Sequence, residues 1–147
     1  MTMPGLALST PASQLPAVLV TTDLTFRCRV RQDWLSRLAS SGPRGATLVS
    51  LTEDYVAHYT LFFGEECTVL HDAIAVAEAV RPGLLSTTTY PVEVDCSFGP
   101  SRGALVADRR TPEIIASFGS SLARPRDIAT DTNIEELHDF LLTRLQS

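Results

Sequence analysis

The chain of 147 residues is 44% hydrophobic and 20% charged, the proportions of a soluble globular protein with enough material for one core. Twelve Lys and Arg against seventeen Asp and Glu leave a net charge of −5, a field that repels phosphate backbones and anionic membranes and so excludes nucleic acid and membrane surfaces as expected partners. Cys28, Cys67 and Cys96 are odd in number and form no CxxC, which argues against a disulfide framework or zinc site and for buried thiols in a reducing, cytoplasmic compartment.

Residues 1–15 are small, polar and proline-containing, the composition of a flexible leader, with one domain expected over 16–147. They lack a basic n-region, and their prolines interrupt any apolar run, so neither a signal peptide nor a membrane span is expected. "AVLVTTDL" is short and rich in β-branched residues, which predicts a buried strand over Val18 to Thr22. In "VRQDWLSRLASSG", Val30, Trp34, Leu35 and Leu38 fall at helical spacing, and Gly42 is suited to a left-handed C-terminal cap. Arg27, Arg29, Arg31 and Arg37 form the basic cluster of this region, read as a solvated face.

From Pro43, Leu48, Leu51, Tyr55, Tyr59 and Phe62 recur at offsets of 3, 7, 11 and 14, a single stripe on one long helix. His58 falls just off that stripe and reads as a partly exposed residue. "GEECTV" then breaks the pattern and leads into "LHDAIAVAEAV", a small-residue helix that Pro82 and Gly83 stop. Asp72 at its start is suited to accept hydrogen bonds from free amides of the first turn and to complement the helix dipole.

"PVEVDCSFGPSRGALVADRR" alternates Val92, Val94 and Cys96 inward with Glu93 and Asp95 outward, turns, and returns through Leu105 and Val106, which predicts a β-hairpin. After a loop, "RDIATDT" reads as a short strand. Asn133 with Glu136 forms a capping-box-like start for a final helix whose stripe is Ile134, Leu137, Leu141 and Leu145. Alternating strands and helices indicate an α/β arrangement, yet the strands visible amount to roughly half of the sheet such helices need to cover.

Several motifs stand in one order: "LHDAIAVA", "RPGLLSTTTYPVEV", "SRGALVAD", "DRR" and the closing "ATDTNIEELHDFLLTRL", with "LPAVLVTTDLTFRCRV" upstream. From Leu15 onward this text resembles the C-terminal region of the inosine-uridine-preferring nucleoside hydrolases. The family runs a Leu-His-Asp-Pro-x-Ala-Val-Ala helix into a Val-x-Val-Glu strand and a Thr-Arg-Gly turn, and has an Asp-Val-Thr loop upstream. Ala73 stands here in place of the proline, and Ser101 in place of the threonine. The fold implied is α/β, a partial nucleoside-hydrolase-like fold: the C-terminal portion of a mainly parallel sheet with flanking helices and a β-hairpin.

The resemblance implies that His71 is the acid assisting the departing base and Asp72 a ligand of calcium, with a purine or pyrimidine ribonucleoside as substrate. Tyr55 and Tyr59 would flank the base; the alternative reading makes both core residues of the helical stripe. The chemistry agrees, because cleaving an N-glycosidic bond builds positive charge on the ribose and negative charge on the base. Complete members open with an Asp-x-Asp-x-x-x-Asp-Asp cluster that holds the calcium, and no such cluster occurs in this sequence. Two expectations follow: part of a nucleoside hydrolase, active once an N-terminal half or complementing chain completes it, or a truncated non-catalytic relative serving binding or assembly. A homo-oligomer or a complementing chain is expected in either case.

Overall fold

A computed structural model describes residues 17–118 and 124–146; the expected leader over 1–15 lies outside the described residues. In chain order the elements are β1 (Val18–Leu19), α1 (Thr22–Thr25), β2 (Val30–Arg31), α2 (Gln32–Ala39), α3 (Pro43–Ser50), α4 (Glu53–Phe63), β3 (Cys67–Thr68) and α5 (His71–Val80). There follow β4 (Leu85–Val94), β5 (Leu105–Ala107), α6 (Pro112–Phe118), β6 (Arg124–Thr132) and α7 (Ile134–Gln146). One sheet has the order β1-β6-β4-β5, and β2 pairs with β3 separately. Within the larger sheet β1 runs parallel to β6, while β4 is antiparallel to both β6 and β5.

The core lies between α2, α5 and α7 on the inner face of this sheet. Leu24, Val30, Trp34, Leu38, Ile74 and Leu137 are all buried within it, and Leu137 is fully so. Polar groups pin the layers: the Trp34 indole donates to the His138 carbonyl at 3.1 Å, and His138 Nε2 donates to the Cys28 carbonyl at 3.2 Å. Burial pushes the Cys28 thiol above its ordinary range, which leaves it protonated and inert. The Glu78 carboxylate accepts from the amides of Gly83 and Leu85 at 2.9 and 2.8 Å, closing the turn at Gly83, whose φ of 94° needs glycine.

The expected α/β class, hairpin and C-terminal helix are present. Val92, Glu93 and Val94 pair with Ala107, Val106 and Leu105, and Asn133 Oδ1 accepts from the Glu136 amide at 3.2 Å as the capping pattern requires. Cys28 and Cys67 are buried as expected, but Cys96 and Val94 are exposed, because the hairpin runs out beyond the body of the domain. Each arginine of the cluster meets an acid: Arg27 with Asp131, Arg29 and Arg31 with Glu65, Arg37 with Asp139. Hydrogen bonding from Arg31 holds Glu65 below the usual carboxylate range.

Other expectations change. The first strand ends at Leu19, since Thr22 already begins a helical turn, and Val30 belongs to β2 rather than to the helix that follows. Gly42 takes φ 139° as the N-cap of α3 and does not cap α2, which ends at Ala39 with Ser40 as its C-cap. The long helix from Pro43 is broken at Leu51–Thr52. There the Ser50 and Thr52 hydroxyls each donate at 2.8 Å to a carbonyl three residues back, competing with the helical ladder. Most of its apolar stripe is not core: Leu51, Tyr55 and Phe62 are 69%, 62% and 64% exposed and α4 buries no residue, while Leu48 of α3 packs against the core's edge. Helix α6 stands where a loop was expected, and β6 is a nine-residue interior strand of the sheet.

Candidate active site

The site is assembled where α1 meets α5. β1 delivers the chain to Thr21, still extended at φ −93° and ψ 162°, and the single turn of α1 buries Leu24 and Thr25. On the other side the buried pair Cys67–Thr68 leads through Leu70 into α5, whose first residue is His71. Gly64, left-handed at φ 73°, ends α4 and lets the chain double back, so Tyr59 comes to lie beside the histidine twelve residues later.

The His71 ring is held at both nitrogens. Nδ1 lies 2.6 Å from the Thr25 hydroxyl and Nε2 lies 2.8 Å from the Tyr59 hydroxyl. Phe26 packs edge-on against the imidazole with centroids 5.5 Å apart, and Phe63 stacks behind Tyr59 at 5.8 Å. The ring is partly buried among aromatic groups, with its two polar atoms satisfied and its orientation fixed.

Of the four residues singled out from the sequence, the structure joins His71 and Tyr59 directly. Tyr55 lies one turn earlier on α4 and, with Asp54, His58 and Tyr59, lines a largely apolar hollow of about 320 Å³. Tyr55, 62% exposed, is not a core residue, whereas Tyr59 is half-buried against Phe26, Phe63 and His71 at the edge of the domain. Asp72 is exposed in the first turn of α5 and forms no hydrogen bond or ion pair among the described residues. It therefore does not cap the helix through its amides, and its influence there is that of a charge near the dipole.

Among the described residues, no group of three or more His, Cys, Asp or Glu side chains could hold a metal ion. Calcium takes about six to eight oxygens, and a single exposed carboxylate supplies one or two. The described residues thus do not by themselves fit a calcium ion. A second cleft of about 480 Å³, lined by Thr21, Asp23, Arg27, Tyr90 and Arg109 among others, opens near the carboxyl end of β1, the end at which open α/β sheets bind ligands. His71 and Asp72 are not among its walls.

Thr25 and Phe26 carry no local signal of a site role, although the stretch containing them resembles the Asp-Val-Thr loop. Asp23, Leu24 and Thr25 carry that pattern. What placed Thr25 at the histidine is a contact across 46 residues, which no local spacing encodes.

No helix among the described residues is long and apolar enough to cross a membrane. Comparison with curated proteins by sequence finds no match. Solved structures do match in fold. A plant nucleoside hydrolase is 19% identical, with a TM-score of 0.76 over 90% of this chain and 42% of its own. A purine-preferring ribonucleoside hydrolase from Gardnerella vaginalis is 22% identical, with a TM-score of 0.70 over 89% of this chain and 40% of its own. An inosine-guanosine nucleoside hydrolase is 21% identical, with a TM-score of 0.65 over 90% of this chain and 39% of its own. The chain therefore spans about 40% of the length of these structures and shares their fold over that span. The family model described as inosine-uridine preferring nucleoside hydrolase matches residues 7–139, and the chain belongs to that family.

Proposed function

We propose that this chain carries the leaving-group side of a ribonucleoside N-glycosidase site and hydrolyses purine or pyrimidine ribonucleosides to ribose and free base when a second polypeptide completes it. The observation that carries this reading is the short contact between His71 Nε2 and the Tyr59 hydroxyl, a proton donor pair beside an apolar hollow able to take a flat base. In the reaction the C1′–N bond breaks, the electron pair leaves with the base, and the oxygen of water bonds to C1′. The base nitrogen needs a proton as it departs. Tyr59 can deliver its hydroxyl proton and recover one from a protonated His71, leaving both side chains neutral. Tyr55 and Tyr59 would flank the base.

Asp72 is the carboxylate this chain would offer to calcium, the other ligands coming from the completing polypeptide. On this reading the chain corresponds to the C-terminal part of a hydrolase. Two features support a completing partner or homo-oligomer: Ser86–Thr89 of β4 are exposed through both pleat directions, and Leu61, Val76 and Val80 are 90%, 59% and 56% exposed. Asp72, Val76 and Val80 recur every four residues along α5, so a partner reaching Asp72 would cover the two valines.

A second reading, a non-catalytic relative acting as a binding or assembly module, is favoured by the lack of a metal-ligand group among the described residues. One experiment separates the two: hydrolysis of inosine and uridine with calcium present, by the chain alone and then mixed with the N-terminal portion of a homologous hydrolase. Turnover only in the mixture supports the enzymatic reading. A mixture that binds yet stays inactive supports the module.

A further inference from the structure

Thr25 is a buried polar residue, 2% exposed, whose hydroxyl faces the ring nitrogen of His71 that points away from Tyr59. A threonine hydroxyl has one proton to give and two lone pairs to accept with. Two partners compete for that proton: the Thr22 carbonyl at 3.4 Å and His71 Nδ1 at 2.6 Å.

If the proton goes to Thr22, the hydroxyl accepts from an Nδ1–H of His71, and Nε2 is left with a lone pair that accepts the Tyr59 proton. Every donor in the chain from Tyr59 to Thr22 is then used, in three hydrogen bonds running one way. If it goes to Nδ1, His71 must carry its proton on Nε2 and donate to Tyr59. The Thr22 contact is then lost, and the tyrosine proton has no partner within the group. The first arrangement makes one bond more in a partly buried site, where hydrogen bonds in series reinforce one another.

We propose that the Thr25 hydroxyl is the positioning group that holds neutral His71 in the Nδ1–H tautomer and aims Nε2 at Tyr59. Thr25 touches no reacting atom. Its effect is to make Nε2 the only nitrogen that can take up and pass on a proton, which ties its catalytic meaning to the acid role proposed for His71. The tautomer itself does not depend on that role.

The test is nitrogen-15 NMR of the imidazole in the full chain at alkaline pH, where the two tautomers differ in which nitrogen is pyrrole-like. The native chain should show a pyrrole-like Nδ1. Thr25→Val, equal in shape but without the hydroxyl, should move the balance toward Nε2–H by about tenfold, since one neutral hydrogen bond is lost. Thr25→Ser should restore it, and Tyr59→Phe should leave Nδ1 pyrrole-like. A pyrrole-like Nε2 in the native chain overturns the proposal even if Thr25→Val does not fold, and so does an unchanged balance in a folded Thr25→Val chain. The acid role is tested separately by His71→Ala in a completed enzyme; unimpaired hydrolysis there would remove that role and leave the tautomer result standing.

Discussion

The hydroxyl of Tyr59 lies 2.8 Å from Nε2 of His71, joining the last turns of α4 to the first residue of α5 through a side-chain contact. A histidine so held has one nitrogen committed to a residue that also borders an apolar hollow. That geometry makes the role of His71 separable from the role of its neighbour Asp72.

In a completed enzyme, His71→Ala should slow cleavage of inosine by about 10²- to 10⁴-fold, roughly 3 to 5 kcal/mol of barrier, while a nitrophenyl riboside should be nearly unaffected. The leaving nitrophenolate needs no proton. Asp72→Ala should instead weaken calcium binding and slow both substrates alike. Steady-state kinetics on the two substrates decides it: equal losses for His71→Ala would exclude the acid role.

The isolated chain should self-associate at micromolar concentration. Phe62, Val76 and Val80 are each more than half exposed, and an apolar surface of this kind is costly to leave in water. Sedimentation velocity should show a concentration-dependent shift that a Val76→Asp, Val80→Asp double variant reduces. A single compact monomer across the concentration range would contradict this.

Gly45→Ala should destabilise the fold, although alanine in place of glycine ordinarily favours a helix by about 1 kcal/mol. A Cβ at this buried position would collide with the Leu38 carbonyl and sit 2.5 Å from the Ser41 hydroxyl oxygen, where α2 turns closely into α3. Overpacking of this kind costs about 1 to 3 kcal/mol. Thermal unfolding should show a lower Tm; a raised one would mean the turn yields freely.

Asp95 should report on the hairpin tip at low pH. Its carboxylate accepts from the Ser101 and Ser97 hydroxyls at 2.6 Å and from the Ser97 amide at 2.8 Å, which lowers its pKa from 3.8 to about 2. A depressed carboxylate stabilises the folded tip above the unfolded value and loses that contribution as pH falls through the folded one. The Ser97 and Ser101 amide resonances should therefore move between about pH 4 and pH 2. In Asp95→Asn the transition should vanish.

By itself the sequence determined those elements whose own periodicity marks them: the hairpin through Val92 and Val106, α5 between its histidine and Pro82–Gly83, and α7 with its Asn133 cap and the stripe through Leu137. Each is specified by neighbours within one or two turns. The motifs in register also carried the family, and with it the proposal that His71 and Asp72 belong to a site. The tertiary structure decided the rest. The stripe through Leu51, Tyr55 and Phe62 has helical spacing, yet periodicity says only that residues share a face, and here that face is exposed. The threonine run of β4 has no apolar alternation and becomes strand because β6 pairs with it from Leu85 to Val92. Thr25 reached His71 for the same reason: hydrogen-bond partners 46 residues apart are chosen by packing of α1 against α5, a free energy no local stretch of chain contains.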